Sequence, residues 1–98
     1  MGMEDIVYYN ELYDLYGKLL TDTQRKYFED YYFHNLSFSE MAEQYEVSRN
    51  AVFKQIHIVI DKLDEFEKKL QLKKKKEKIL KVLEDTPKSV QEKIEKIL

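Results

Sequence analysis

The segment SEMAEQYEVSRNAVFKQI, residues 39–56, carries two helical signals separated by one short turn. Ser37 or Ser39 can cap the first helix, and Glu40 lies three residues after Ser37, the spacing of a capping box. Met41, Ala42 and Tyr45 then face inward. Val47 interrupts the pattern and Ser48 caps a second, longer helix, along which Val52, Ile56, Val59, Ile60, Leu63, Phe66 and Leu70 form one apolar stripe. A short helix, a turn of three or four residues and a capped longer helix are the layout of a helix-turn-helix, expected over about residues 37–60. Each inward residue has a task in that layout. Ala42 is small where two helices cross closely, Val47 is expected to plug the corner, and Val52 and Ile56 seat the second helix on the first.

Outward from this segment the chain reads as helical throughout. From Glu4 to Tyr16, the residues Ile6, Val7, Tyr9, Leu12, Tyr13 and Tyr16 recur at helical spacing on one side, and Gly17 is a plausible stop. Thr21 and Gln24 have capping-box spacing ahead of a helix from about Asp22 to His34, with Tyr27, Phe28, Tyr31 and Tyr32 inward and Asn35 suited to a left-handed end. No glycine or proline separates Leu70 from Ile79, so the long helix either stops near 70 or runs on toward Asp85. Thr86 and Pro87 suit the N-cap and first position of a last helix.

Composition narrows the function. A 98-residue chain has room for one modest core. It is expected to form a helical domain over residues 1–70 followed by a lysine-rich helical extension over residues 71–98. Only Gly2, Gly17 and Pro87 punctuate it, too few turn residues for a sheet protein, so the fold class is all-α. The same scarcity removes the glycine-rich loops that cradle nucleotide phosphates. There is no cysteine, hence neither a disulfide nor a thiolate ligand, which suits a reducing cytoplasm. The stretch MGMEDIVYYN has acids where a leader has lysines, and no apolar run approaches the roughly 20 residues that cross a bilayer, so neither secretion nor membrane insertion is expected. His34 and His57 lie apart without carboxylates at ligand spacing, and serines 37, 39, 48 and 89 have no arranged base, so no metal, no cofactor and no enzymatic activity are expected.

Charge is unevenly divided. Residues 1–46 hold three basic and ten acidic residues, and residues 47–98 fourteen basic and nine acidic, within a net charge of −2. Because nucleic-acid affinity rests on neutralising phosphates, a DNA-facing surface has to come from the second half.

Residues Leu19 to Leu63, LLTDTQRKYFEDYYFHNLSFSEMAEQYEVSRNAVFKQIHIVIDKL, resemble region 4 of sigma factors: a helix, an aromatic pair before a short loop, then the helix-turn-helix. Over nearly its whole length the chain resembles the YlxM family of small DNA-binding proteins, the phrases LLTDTQRKYFEDYY and VSRNAVFKQI carrying the match. That resemblance implies a cytoplasmic bacterial regulatory protein connected with the signal recognition particle pathway. Two positions depart from pattern. Helix-turn-helix turns often have glycine where Glu46 stands, and the family commonly has glycine near position 71, where this chain has Gln71.

Counted from the cap at Ser48, the outward positions of the recognition helix are Arg49, Asn50, Phe53, Lys54 and His57. Arg49 suits guanine, Asn50 adenine, Lys54 phosphate and Phe53 a thymine methyl. An exposed Phe53 near Ile58 equally suits a protein partner, so the competing reading is an interaction module for the signal recognition particle or its RNA. The run Lys73, Lys74, Lys75 and Lys76, with Lys78 and Lys81, is either a solvated face or a contact for phosphate or an acidic partner. The tyrosines from Tyr8 to Tyr32 are expected to pack as core with hydroxyls reaching solvent, and Ile79, Leu83, Val90, Ile94 and Ile97 offer a stripe for a homodimer.

Overall fold

The computed structural model describes residues 3–98, with side chains from Ile6 onward; the expectation of no leader therefore rests partly on residues outside it. Six α-helices follow in chain order: α1 Met3–Tyr16, α2 Asp22–Tyr32, α3 Phe38–Tyr45, α4 Arg49–Leu70, α5 Leu72–Leu83 and α6 Lys88–Ile97, with a 3-10 turn over Gly17–Leu19. The fold is all-α, with a helix-turn-helix and a C-terminal helical extension.

Local chemistry explains most of the boundaries. Thr21 and Gln24 form a reciprocal capping box at the start of α2 (3.0 and 3.1 Å), as do Ser37 and Glu40 at α3 (3.0 and 3.1 Å). Ser48 accepts the Ala51 N–H at 3.0 Å, starting α4. Such a cap stabilises its helix by about 1 kcal/mol. The left-handed ends fall at Asn35, Glu46 and Gln71, all with φ between 54° and 58°. Asn35 ends α2 as its sequence position predicts.

The last boundary departs from expectation by one residue. Thr86 does not cap α6; its hydroxyl donates back to the Leu83 carbonyl at 2.6 Å, and Gln91 Nε2 donates to the same carbonyl at 2.8 Å. Carbonyls left free at the end of α5 have taken the hydroxyl that an N-cap would have used. Pro87 is the residue before the helix.

α4 is the central element, packed against α1, α2 and α3. Leu12 and Tyr16 of α1, Tyr27 and Phe28 of α2, and Met41 and Ala42 of α3 close over Val52, Ile56, Val59, Ile60 and Leu63 of α4. Each fully buried Val, Ile or Leu contributes roughly 1.5–3 kcal/mol, more than any single cap, so burial fixes the bundle and caps trim its ends. Val7 was expected on the inward side of α1 but is 64% exposed, because it lies off the stripe through Leu12 and Tyr16.

Apart from Tyr8, which is 38% exposed, the tyrosines from Tyr9 to Tyr32 lie in or against the core, as does Tyr45, but four tyrosine hydroxyls meet carboxylates of other helices instead of water. Tyr9 donates to Asp64 at 2.9 Å, Tyr16 to Glu67 at 2.6 Å, Tyr13 to Glu29 and Tyr45 to buried Asp30. Burial pushes the Tyr13 hydroxyl up to about 12, with the Glu29 bond and charge adding to it; Tyr45 is pushed up by burial and by Asp30.

α5 leans on α1, and α6 folds back on α5. Neither contributes a fully buried side chain. Ile79, Val90 and Ile97 are exposed, and Leu83 and Ile94 half-buried.

Candidate nucleic-acid interface

The turn between α3 and α4 comprises residues 46–48. Glu46 occupies the left-handed conformation (φ 56°, ψ 45°). Its N–H reaches the Glu43 carbonyl at 3.3 Å and the Val47 N–H reaches Ala42 at 3.0 Å. This pair of bonds is a Schellman motif, in which the backbone closes the turn with a non-glycine residue at the left-handed position. Val47 consequently does not plug the corner. It is 41% exposed, and its structural service is the N–H that caps α3. The corner is filled by Met41, Ala42, Val52 and Ile56, all buried.

With Val52 and Ile56 inward, the opposite side of α4 faces solvent. Ser48, Arg49, Asn50 and Lys54 are exposed, although the Ser48 hydroxyl is engaged by Ala51. Asn50, Lys54 and His57 follow i, i+4, i+7 spacing and share one strip; Arg49 and Phe53 form the adjoining one. His57 is half-buried. Phe53, 44% exposed, meets Phe38 edge-on at 5.9 Å and the His57 ring at 4.2 Å. Phe38 in turn stacks on Tyr31 at 4.9 Å. This row of rings holds Phe53 in place, so it presents a fixed apolar edge beside Lys54.

The charge around this face is mixed. Glu40, Glu43 and Glu46 are exposed along α3 and its turn, and Asp61 is exposed further along α4. The cations among the outward positions are Arg49 and Lys54. The acidic edge of α3 is readable in the sequence from the spacing of Glu40, Glu43 and Glu46.

The lysine run is not one surface. Lys73 is drawn inward: its side chain is 18% exposed, pairs with Glu11 of α1 at 3.2 Å and with Glu77, and its Nζ lies 5.4 Å from the Tyr8 ring centre. Both carboxylates hold the Lys73 ammonium above its ordinary value, Glu77 most strongly, despite some desolvation. Lys74, Lys75 and Lys76 remain exposed.

Where α4 ends, Gln71 turns left-handed and donates its N–H to the Glu67 carbonyl at 2.8 Å. The Glu67 carboxylate then caps the next helix: it accepts the N–H groups of Lys73 at 3.0 Å and Lys74 at 3.2 Å, besides the Tyr16 hydroxyl. The Leu72 N–H donates to the Tyr16 oxygen at 2.9 Å. Burial works against the Glu67 charge, but the Tyr16 hydroxyl and the two backbone donors outweigh it and hold the carboxyl below its ordinary value. This latch was missed in the sequence, which shows only a glutamate four residues before a glutamine.

Among the described residues no group of three metal-ligating side chains occurs, and no helix is long and apolar enough to cross a membrane. Two helices joined by a three-residue turn, with a capped second helix exposed on one side, define a helix-turn-helix protein. The family described as "Putative helix-turn-helix protein, YlxM / p13 like" matches residues 3–98, and the chain belongs to that family. Among its relatives, a UPF0122 protein of Caldanaerobacter subterraneus subsp. tengcongensis is 40% identical over 81 residues, covering 83% of this chain and 69% of that protein. One from Halalkalibacterium halodurans is 42% identical over 81 residues, covering 83% of this chain and 74% of that protein. Another, from Geobacillus kaustophilus, is 43% identical over 82 residues, covering 84% and 74%.

Proposed function

We propose that this chain is a cytoplasmic DNA-binding regulatory protein that docks α4 in the major groove in the manner of sigma region 4, and that it acts by binding and not by catalysis. One observation carries the reading: Asn50 and Lys54 are exposed on the side of α4 opposite buried Val52 and Ile56, and Arg49, flanking that buried stripe, is exposed at the first residue of the helix. Arg49 and Asn50 stand in the first turn, the part of a recognition helix that meets base edges, with chemistry for guanine and adenine. Lys54, one turn further, supplies a phosphate contact. Phe53, braced by Phe38 and His57, offers its edge to a thymine methyl.

The test is a salt titration with random duplex DNA. Binding at low salt with log K falling linearly against log salt is the expected result, and no affinity at low salt contradicts it. Lys54→Glu is expected to weaken all sequences alike by at least tenfold at low salt; binding as tight as the parent's would remove this face from the reading.

A second reading has an observation of its own. Phe53 and Ile58 of α4 are both more than two-fifths exposed, apolar side chains of the kind a protein partner covers. The partner would then be the signal recognition particle or its RNA. Capture of purified particle by the parent but not by Phe53→Ala/Ile58→Ala, with duplex binding absent in both, would favour it.

A further inference from the structure

We infer that the outer face of α5 is a second contact surface, for the phosphodiester backbone of duplex DNA, separate from the recognition helix. The inference rests on the reading of the chain as DNA-binding and adds to it a site that carries affinity without sequence information.

The argument begins with where the charge sits. α5 holds six lysines against the single acid Glu77, in a protein whose net charge is −2. The lysines crowd its N-terminal half, with no acid in the first turn. Backbone N–H groups make that end of a helix electropositive, so cations there oppose helix formation, and lysines four apart repel one another. The molecule relieves this only in part. Glu11 and Glu77 engage Lys73, and Glu67 caps the backbone from outside the helix. Among the described residues no carboxylate lies within ion-pair distance of Lys74, Lys75, Lys76, Lys78 or Lys81, all of which are exposed.

Lys74, Lys78 and Lys81 follow i, i+4, i+7 spacing and share one face, a row about 10 Å long at 1.5 Å per residue. A polyanion laid along it neutralises both the repelling ammonium groups and the electropositive helix end. The row is also mounted firmly. The Glu67 cap, the Tyr16 bond to Leu72 and the Lys73–Glu11 pair tie α5 to α1 and α4, so its position relative to the recognition helix is set. A duplex long enough to reach both surfaces at once would be held more tightly than by either alone.

The experiment compares the full chain with Lys74→Gln/Lys78→Gln/Lys81→Gln and with Lys54→Glu on random duplex DNA over a salt series. The triple variant is expected to keep its helical circular dichroism, to bind at least tenfold more weakly at low salt, and to lose between two and three from the slope of log K against log salt. A triple variant with the parent's affinity and slope overturns the inference, while weakening by Lys54→Glu in the same series leaves the recognition helix standing. Weakening by the triple variant alone supports the α5 surface and counts against the recognition face. Binding to polyglutamate as tight as to duplex, and equally reduced in the triple variant, overturns the inference in favour of an acidic protein partner.

Discussion

Glu46 shows how one residue sets the angle of the whole motif. Its backbone lies in the left-handed region, where a side chain costs about 1 kcal/mol that glycine avoids. The turn tolerates the cost because the Glu46 and Val47 N–H groups both find carbonyls of α3. Glu46→Gly is therefore expected to stabilise the fold by up to about 1 kcal/mol, raising the melting temperature by several degrees in thermal unfolding. A lower melting temperature would show that the Glu46 side chain has a compensating role. The same residue marks what sequence could and could not tell. Its misfit with the usual glycine was readable, but the Schellman bonds that accommodate it, and leave Val47 outside the corner, depend on backbone placement.

At the scale of the helix, readability followed the range of the interactions. Thr21 with Gln24, Ser37 with Glu40, and Ser48 were visible because a cap acts within three residues. Sequence leaves the break at Gln71 open, because its left-handed turn is accompanied by contacts from Tyr16 in α1 and Glu67 in α4. Lys73 likewise reads as one of four equal lysines until Glu11 is brought beside it. The Glu67 latch has a pH signature. A carboxyl held below its ordinary value of 4.5 contributes stability that is present above that value and lost as pH falls through the lower, folded one. Protection of the Lys73 and Lys74 amides from hydrogen exchange is expected at neutral pH and in mild acid, and lost as pH falls through the lowered value of the Glu67 carboxyl or, at any pH, in Glu67→Ala. Unchanged protection in that variant would show that α5 is held by something other than this carboxylate.

The whole molecule divides into a bundle fixed by apolar burial and a helical arm fixed by polar contacts. The apolar stripe of α4 made the first legible in sequence; the second needed the fold. Tyrosine hydroxyls tie the helices of the bundle together by donating to carboxylates, and this predicts its response to base. Tyr13, raised from 10 to about 12, contributes stability that is complete below pH 10 and lost as pH rises toward 12. Tyr45 is raised as well and acts in the same direction. Alkaline unfolding followed by circular dichroism should therefore set in above pH 10, and Tyr13→Phe should reduce its steepness. A variant with the parent's alkaline profile would contradict that assignment. The arm meets this set of bonds only at Tyr16 and Glu67, which take the N–H groups of Leu72, Lys73 and Lys74.

The claim on which the functional reading turns is that the solvent side of α4 meets DNA. Nuclear magnetic resonance of the isotope-labelled chain, titrated with duplex DNA at low salt, tests it directly. The account predicts that the largest shifts fall on Arg49, Asn50, Phe53 and Lys54, with a second set along Lys74, Lys78 and Lys81. Shifts confined to other helices, or none at saturating duplex, would contradict it.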